Sequence, residues 1–256
     1  MLRQFTIEAP TRAETGATNV YLLGDEDGLL VDPAGRSQAL DEAVASGASA
    51  VAVTHFHPDH VGALDAYAEE YDLTVWTLTG RTAAFESATG RRPDRTFAPG
   101  DRLPVAGGVE VVDTPGHASE HVAYRIDEGL LTGDLLLASG SVVVGGDGGD
   151  MRAYLSSLRR LYARDPARLY PGHGVVVEDP RAVCERLLRH RLERERRVLQ
   201  AVEAGNQTPN EIVEAAYDKD VSAVLDLARA TVIAHVEKLA IEGKVAWDGD
   251  CARPRH

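Results

Sequence analysis

The chain has 256 residues, of which 44% are hydrophobic, and this composition excludes an intrinsically disordered protein. No apolar run approaches the ~20 residues of a membrane-spanning helix, and the first residues, MLRQFTIEAP, do not resemble a secretory leader, so we expect a cytoplasmic protein without a membrane partner. The formal net charge is -13, and among the 27 basic residues only Lys219, Lys238 and Lys244 are lysines. Such an acidic, lysine-poor composition is typical of a halophilic protein, and an ordinary acidic protein from a GC-rich genome is the equal alternative.

The first part of the chain alternates short apolar strands with turns and helices. NVYLLGDEDGLLVDPAG predicts a hairpin, ASAVAVTHFH a buried strand and HVGALDAYAEEY a helix. Further strands are predicted in LTVWTL, VEVVDTPGH, HVAYRIDEGLLTGDLLL and RLYPGHG, with an amphipathic helix in DMRAYLSSLRRLYARD. Polar residues follow the strands, and we therefore predict a layered α/β domain over residues 1–176 with its chemistry at the strand ends.

The composition changes after residue 176. DPRAVCERLLRHRLERERRVLQAVEAG predicts a long charged helix, and LARATVIAHVEKLAIEG predicts another. Between them, TPNEIVEAAY predicts a helix with Thr208 as its N-cap and Pro209 at its first position. KVAWDGD then predicts a strand and a turn. Residues 177–256 are therefore predicted to form a small helical domain of winged-helix type.

A cluster of metal-ligand residue types follows the buried strand directly, in THFHPDH. His55 and His57 lie two apart, and residues two apart on an extended segment point the same way, so both can bind one ion. Pro58 stiffens the turn that follows, and this turn brings Asp59 and His60 to a second position. The spacing therefore predicts a metal site at the end of this strand.

Three more candidate ligands follow other predicted strands. His117 comes after a Pro-Gly turn in DTPGHASEH, and His173 comes after another in LYPGHG. Asp134 is surrounded by apolar residues in LLTGDLLL, where a carboxylate needs a cation nearby. Structural roles alone do not explain seven ligand-type residues on four loops, and we therefore predict that these loops form one metal site.

The motifs THFHPDH, TPGH, GD and PGHG, in this order, resemble those of the metallo-β-lactamase superfamily. The resemblance implies an αββα metallo-β-lactamase sandwich with two metal ions. It assigns three ligands to a first ion, three to a second and one to both: His55, His57 and His117; Asp59, His60 and His173; and Asp134. Asp32, in LLVDPAG, matches an acid that supports the ligands in this family, and an ordinary turn aspartate is the alternative.

The ligand types and the paired ions indicate the reaction class. Nitrogen and carboxylate donors without thiolates suit zinc best, so we expect two Zn²⁺ ions, with iron or manganese as alternatives. Two ions about 3.5–4 Å apart hold a bridging water and lower its pKa toward 7. A metal-bridging hydroxide is therefore the expected nucleophile, and the protein is expected to be a zinc-dependent hydrolase.

The rest of the sequence resembles the LACTB2-like branch of the superfamily, which joins the hydrolase domain to a C-terminal winged-helix domain. The resemblance rests on His121 four residues after His117, on TGDLLLASGSVVVGGDGGDMRAYLSSLRRL and on the helical tail. It implies an endoribonuclease that acts on single-stranded RNA. Asp59 and His121 are the candidate catalytic residues. His121 would contact a phosphate or protonate the leaving group, and a purely structural hydrogen bond is the alternative.

A thioesterase of the glyoxalase II type is the alternative function, so a small-molecule ester or thioester stands beside RNA as the expected substrate. That family shares the ligand motifs, but its C-terminal region carries a basic thiol-binding patch that is not recognisable here. A non-catalytic module with structural metals is disfavoured, because structural zinc sites are closed by their protein ligands whereas a two-metal site holds water.

The charge pattern of the tail bears on nucleic-acid partners. Residues 181–200 contain seven arginines and three glutamates, which is either an RNA-binding strip or a helix face exposed to solvent. Pairs at i, i+4 such as Arg191–Glu195 favour the exposed face. Residues 201–250 contain four basic and ten acidic residues, so we do not expect specific DNA binding. Packing or homodimer formation is the expected role of the winged-helix segment.

Overall fold

The computed structural model describes residues 1–146 and 148–255. They form two compact units, of which the first contains residues 1–114, 120–140 and 166–180. The second contains residues 115–119, 141–165 and the chain from 181 onward. The division into domains at residues 176 and 177 stays a prediction. Within the described residues, the helices all lack the combination of length and apolar character needed to cross a bilayer.

The first unit contains a six-stranded sheet whose strands lie in chain order. These strands are β1 (Leu2–Glu8), β2 (Ala17–Leu23), β3 (Gly28–Val31), β4 (Ala48–Ala52), β5 (Thr74–Leu78) and β6 (Arg95–Phe97). The first three strands are antiparallel, and β3 to β6 are parallel. Parallel neighbours need crossover connections, and three of the four helices of this unit lie in the β3–β4 and β4–β5 connections. The four helices are α1 (Gln38–Ala45), α2 (Pro58–Val61), α3 (Leu64–Glu70) and α4 (Thr82–Thr89).

A second sheet of five strands belongs to the same unit, in the order β11-β10-β9-β8-β7. Its strands are β7 (Arg102–Leu103), β8 (Val109–Asp113), β9 (Val122–Ile126), β10 (Gly129–Gly133) and β11 (Leu169–Pro171). β10 and β11 are parallel, whereas the other pairs are antiparallel. Because parallel strands end at the same edge, the residues that follow β10 and β11 lie side by side.

The two faces of the first sheet pack into different cores because successive side chains of a strand point to opposite faces. Val20 and Leu22 of β2 belong to a cluster with Leu40 and Leu64 of the helices. Tyr21 and Leu23 belong to another cluster that contains residues of the second sheet, among them Val111, Tyr124 and Leu131. β2 is therefore buried on both sides, and it has no exposed residue.

The second unit contains the remaining helices and a short antiparallel strand pair. Its elements are α5 (Met151–Arg164), α6 (Pro180–Glu203), α7 (Pro209–Ala216), a 3₁₀ turn (Ser222–Val224), α8 (Leu225–Ile241), β12 (Val245–Trp247) and β13 (Ala252–Pro254). Thr208 caps α7 in a reciprocal capping box with Glu211, and Pro209 follows it, which confirms the predicted start of this helix. Val202, Ile212, Val236 and Val245 pack together in the core of this unit.

The expected solvent-exposed pair of Arg191 and Glu195 on α6 is wrong. Both side chains are buried, with 3% and 8% of their surface exposed. Glu195 instead accepts a hydrogen bond of 2.8 Å from Lys238 of α8. Burial removes both groups from water, so each carries a structural role that i, i+4 spacing does not reveal. Glu193 and Arg197 do form the expected pair, with 3.1 Å between Arg197 Nε and Glu193 Oε1.

Candidate metal centre

The THFHPDH segment connects the buried strand β4 to the short helix α2. His57 is the N-cap of α2 and Pro58 its first residue, a position where the missing N–H of proline costs no hydrogen bond. His55 and His60 are fully buried, whereas Asp59 is half-buried. Nε2 of His55 lies 2.9 Å from Nδ1 of His57. The strand end and the helix start therefore hold the histidine rings of this segment close together.

Asp134 follows β10 and lies between two histidines from different elements. Its Oδ1 is 3.5 Å from Nε2 of His60, and its Oδ2 is 3.4 Å from Nε2 of His173. Nε2 of His173 is also 3.5 Å from Oδ2 of Asp59. Within each of two groups the potential ligand atoms lie within 4.8 Å of one another. These groups are His55, His60 and Asp134, and Asp59, His60 and His173.

Asp32 fixes the orientation of two of these rings. It is buried, with a positive φ of 55°, and it accepts hydrogen bonds from the N–H and Oγ1 of Thr54 at 2.6 and 2.8 Å. Nδ1 of His60 donates to Asp32 at 3.0 Å, and Nδ1 of His55 lies 3.0 Å from Oγ1 of Thr54. The Asp32 carboxylate can only accept from His60, and the Thr54 hydroxyl already donates to Asp32, so Nδ1 carries the proton in both rings and Nε2 keeps the lone pair that would bind a metal. Asp32 thus has a positive φ and contacts two candidate ligands, His60 directly and His55 through Thr54, and its role in supporting metal ligands stays a prediction.

His173 is oriented by the N-terminal strands. Its Nδ1 donates to the carbonyl of Ala17 at 2.8 Å, so its Nε2 also carries the lone pair. Burial lowers the pKa of His173. The hydrogen bond and charge of Asp134 and the hydrogen bond to the Ala17 carbonyl raise it by more than burial lowers it, so the pKa lies above the ordinary value. Burial likewise lowers the pKa of His60, and the carboxylates of Asp32 and Asp134 raise it well above that value. The site therefore attracts positive charge.

Asn19 holds the loop that carries His173, and sequence reasoning missed this residue. It is buried on β2, and its backbone N–H donates to the carbonyl of Gly172 at 2.7 Å. Its side-chain Nδ2 donates to the carbonyls of Pro171 and Gly174 at 3.0 and 2.8 Å. A polar amide inside the apolar run NVYLL was the available signal, because buried amides require partners.

The residues present fit a divalent metal ion. Nε2 of His60 is buried and forms no hydrogen bond within the described residues. A Cβ on Gly172 would lie 2.5 Å from Oδ1 of Asp134 and 2.7 Å from Cε1 of His60, so the glycine leaves room beside the ligands. The donors are imidazole nitrogens and carboxylate oxygens, and no cysteine joins a candidate ligand group among residues 1–146 and 148–255. This donor set suits zinc, iron or manganese.

The other two predicted site residues have different surroundings. His117 lies in the 115–119 segment of the second unit, where its Nδ1 donates to the carbonyl of Val143 at 2.7 Å. His121 is 1% exposed, and its Nδ1 lies 2.8 Å from Oγ1 of Thr114. This burial favours the structural hydrogen bond that the sequence left as the alternative for His121. Its catalytic role, like the ligand role of His117, stays a prediction.

Comparisons with known proteins agree with this architecture. A family model described as the metallo-beta-lactamase superfamily matches residues 13–173, and the beta-lactamase associated winged helix domain matches residues 208–253. A structure of a metallo-beta-lactamase family protein from Thermus thermophilus has a TM-score of 0.76 at 24% identity, covering 99% of this chain and 98% of the other. The predicted αββα sandwich with a C-terminal winged-helix domain is thus confirmed.

Two relatives extend the likeness over most of the chain. The beta-lactamase-like protein 2 homolog of Drosophila melanogaster is 31% identical over 261 residues, which cover 92% of this chain and 86% of the relative. The atrochrysone carboxyl ACP thioesterase of Aspergillus fumigatus is 28% identical over 243 residues, which cover 85% of this chain and 73% of the relative. The chain therefore belongs to the LACTB2-like branch of the metallo-β-lactamase superfamily hydrolases.

Proposed function

We propose that this protein is a two-metal hydrolase that cleaves single-stranded RNA. The observation that carries the two-metal assignment is the position of Asp134. Its two oxygens face Nε2 of His60 at 3.5 Å and Nε2 of His173 at 3.4 Å, so one carboxylate has a histidine nitrogen beside each oxygen. A carboxylate between two such nitrogens is suited to share its oxygens between neighbouring cations.

The seven predicted ligands divide between two ions. His55, His57 and His117 would hold the first ion, Asp59, His60 and His173 the second, and Asp134 both. Zinc is the proposed metal, with iron and manganese as the alternatives that the same donors accept. When bound, the ions would supply a water with a pKa lowered toward ~7 and would polarise the phosphoryl oxygen under attack.

Two residues outside the ligand set orient these ligands, and one of the ligands, Asp59, also has a role in proton transfer. Asp32 orients His60 directly and His55 through Thr54, and Asn19 fixes the His173 loop. Asp59 is half-buried and lies 3.5 Å from His173, so its carboxylate reaches solvent as well as the site. We assign to Asp59 the transfer of the proton between the site and water, because a general base needs access to both.

Replacement of Asp59 by Asn tests this assignment. The amide keeps the shape of the side chain but removes its charge and its ability to accept a proton. We expect turnover to fall by about 10²–10⁴-fold while the circular dichroism spectrum and the unfolding midpoint stay close to those of the parent protein. Retained turnover in this variant would refute the role of Asp59.

A thioesterase is the second candidate function. It is favoured by the likeness to a relative named as an acyl carrier protein thioesterase, at 28% identity over 85% of this chain. The ligand set is the same for both reactions, so the substrate and not the metal separates them. RNA cleavage is preferred on the LACTB2-like resemblance of the whole chain, including its winged-helix domain.

The deciding experiment is metal analysis of the pure protein followed by parallel assays of the metal-loaded enzyme. The substrates are a single-stranded RNA oligonucleotide and an acyl thioester, and the Asp59→Asn variant serves as the blank for both. We expect two ions per chain and cleavage of RNA. Thioester turnover without RNA cleavage would select the alternative, and a protein that binds no ion would exclude both.

A further inference from the structure

Arg191 of α6 is a buried guanidinium with partners on two other elements of the second unit. It is 3% exposed, and its Nη2 donates to the carbonyl of Val142. Its Cζ lies 5.4 Å from the ring centroid of Tyr154 in α5, within the range of a cation–π contact. A buried arginine is costly unless such partners hold it, so Arg191 links α6 to the segment that contains Val142.

The same segment orients a predicted metal ligand. The carbonyl of the next residue, Val143, accepts the hydrogen bond of 2.7 Å from Nδ1 of His117. Two residues further, a Cβ on Gly145 would lie 2.3 Å from the carbonyl oxygen of Ala230 in α8. The segment 142–145 is therefore fixed by α6 at one end and by close contact with α8 at the other, and it presents the Val143 carbonyl to His117.

We infer that Arg191 is a positioning residue for His117, and through it for the first metal ion; this inference rests on the proposed two-metal function. Without its guanidinium, the Val142 carbonyl loses its donor and the adjacent Val143 carbonyl loses its fixed position. The imidazole ring of His117 is then still present, but its orientation is no longer fixed. Helix α6 thus takes part in orienting a predicted metal ligand of its own unit, beyond packing or homodimer formation.

The test uses full-length Arg191→Met, Arg191→Lys and a matched control, Arg189→Met, in the same helix. Methionine keeps the length of the side chain in the buried position but donates no hydrogen bond, whereas lysine restores one donor. Arg189 is exposed and serves as the control for loss of one arginine from α6. Binding of Zn²⁺ to each protein is measured by competition with a chromophoric chelator, and Co²⁺ absorption reports the ligand environment.

We expect Arg191→Met to weaken one of the two binding steps by about 10–100-fold and to leave the other unchanged, as for other residues that orient metal ligands. Arg191→Lys should recover part of the lost affinity, and Arg189→Met should bind both ions as the parent does. The Co²⁺ spectrum of Arg191→Met should change in the band of one ion only. The unfolding midpoint of each metal-free variant is recorded in parallel, and metal affinities are compared only between variants that are folded.

Parental affinity for both ions in Arg191→Met would overturn the inference and leave the proposed function intact. Equal weakening of both ions would also overturn it, since that result indicates general destabilisation. If Arg191→Met does not fold, Arg191→Leu, which also donates no hydrogen bond, decides in its place, and unchanged affinity for both ions in that variant overturns the inference. A parent protein that binds fewer than two ions overturns the proposed function together with the inference.

Discussion

Two loops of this protein contain the same three residues, Pro-Gly-His, at positions 115–117 and 171–173. In both loops the histidine Nδ1 donates to a main-chain carbonyl, at 2.7 Å to Val143 for His117 and at 2.8 Å to Ala17 for His173. Both rings therefore keep the lone pair on Nε2, which is the nitrogen that would bind a metal ion in the proposed site. At the level of the ligand itself, the two loops are equivalent.

The surroundings of the two loops differ. The 171–173 loop is held within the first unit, where side chains of β2 bind its carbonyls: Tyr21 donates to Pro171 at 2.7 Å, beside the bonds from Asn19. The 115–117 loop is held by α5 of the second unit, where the N–H of Asp150 donates to Gly116 at 2.9 Å and Ser157 donates to Pro115 at 2.8 Å. A strand holds one loop and a helix the other.

This difference shows that a local motif specifies which residue type is present but not how its side chain is oriented. The orientation comes from partners that are distant in the chain. His117 is 26 residues from Val143 and Pro115 is 42 from Ser157, whereas the partners of the other loop are at least 150 residues away. Substitutions around the two predicted ligands should therefore have different effects on turnover, metal binding and stability.

The largest difference between the two loops is expected when Gly172 and Gly116 are each replaced by alanine, because one change should lower turnover and the other stability. In Gly172→Ala the new Cβ meets Asp134 and His60, so we expect displaced ligands and about 10²-fold lower turnover, since a displacement near 1 Å suffices for such a loss. In Gly116→Ala the Cβ lies 2.3 Å from the backbone of Tyr154, and φ is 137°. There we expect a loss of about 1–3 kcal/mol in the free energy of unfolding.

Turnover, metal content and denaturant unfolding of both variants measure this contrast. Gly16→Ala is a useful reference, because Gly16 also has a positive φ but a Cβ added there would meet no described atom within 4 Å, so this variant isolates backbone strain from steric contact. A Gly172→Ala protein that keeps both ions and full turnover would show that the loops tolerate displacement equally.

A smaller effect is expected from Asn19→Asp, which replaces the amide by a carboxylate of the same shape. The variant loses the two Nδ2 donors and places an oxygen against the carbonyls of Pro171 and Gly174. We expect about 10–100-fold weaker binding of the second ion and about 1–3 kcal/mol lower stability. Chelator competition and denaturant unfolding measure the two effects.

Asn206→Asp is the matched control, because Asn206 also donates its Nδ2 to a carbonyl, that of Ala201 at 3.0 Å in the second unit. It should lose a hydrogen bond of about 1 kcal/mol and keep parental affinity for both ions. If Asn19→Asp behaves like Asn206→Asp, then Asn19 does not aim His173.

The smallest effect concerns the interior of the second unit and leaves the metal site unchanged. Burial raises the pKa of Glu195, but His235 and the ammonium of Lys238 lower it more, so that it lies below the ordinary value of 4.5. A lowered pKa in the folded state stabilises the fold above pH 4.5, and this contribution is lost as the pH falls through the lower, folded value. Glu195→Gln should therefore cost about 1–3 kcal/mol at pH 7 and less at acidic pH.

Urea unfolding of parent and Glu195→Gln protein at pH 7 and pH 4 measures this difference. Glu193→Gln on the same helix provides the comparison with an exposed ion pair, where solvent screens the charges and a much smaller change is expected. An equal loss in Glu195→Gln at both pH values would contradict the assignment of this stability to a charged carboxylate.

Much of the fold and of the candidate site could be predicted from the sequence, because both depend on local patterns. The strand that ends in THFHPDH, the cap of α7 at Thr208 and the separate helical tail all follow from periodicity and from start signals. The strand-end positions of His55, His60 and Asp134 are also readable from the sequence, and their potential ligand atoms lie within 4.8 Å of one another.

The residues that aim the ligands could not be predicted with the same tools. Asn19 meets its partners 152 and 155 residues further along the chain, and no local pattern encodes that encounter. Arg191 lies among seven arginines of residues 181–200, and only its burial distinguishes it from the exposed ones. Some predictions concern the metal, the substrate, a partner or the environment, which the fold of one chain does not determine. They stay predictions: zinc, RNA, homodimer formation, cytoplasmic location and a halophilic origin.

The bond from Asn19 to the loop after β11 has a consequence for the order of events during synthesis. Asn19 leaves the ribosome 155 residues before Gly174, a delay on the order of 8–30 s at about 5–20 residues per second. The histidines of THFHPDH are thus synthesised well before the 171–173 loop, which carries another predicted ligand, His173. Under the proposed two-metal function, the complete set of ligands exists only after β11 and the loop that follows it have been translated, and an ion bound earlier would have fewer donors and be held more weakly.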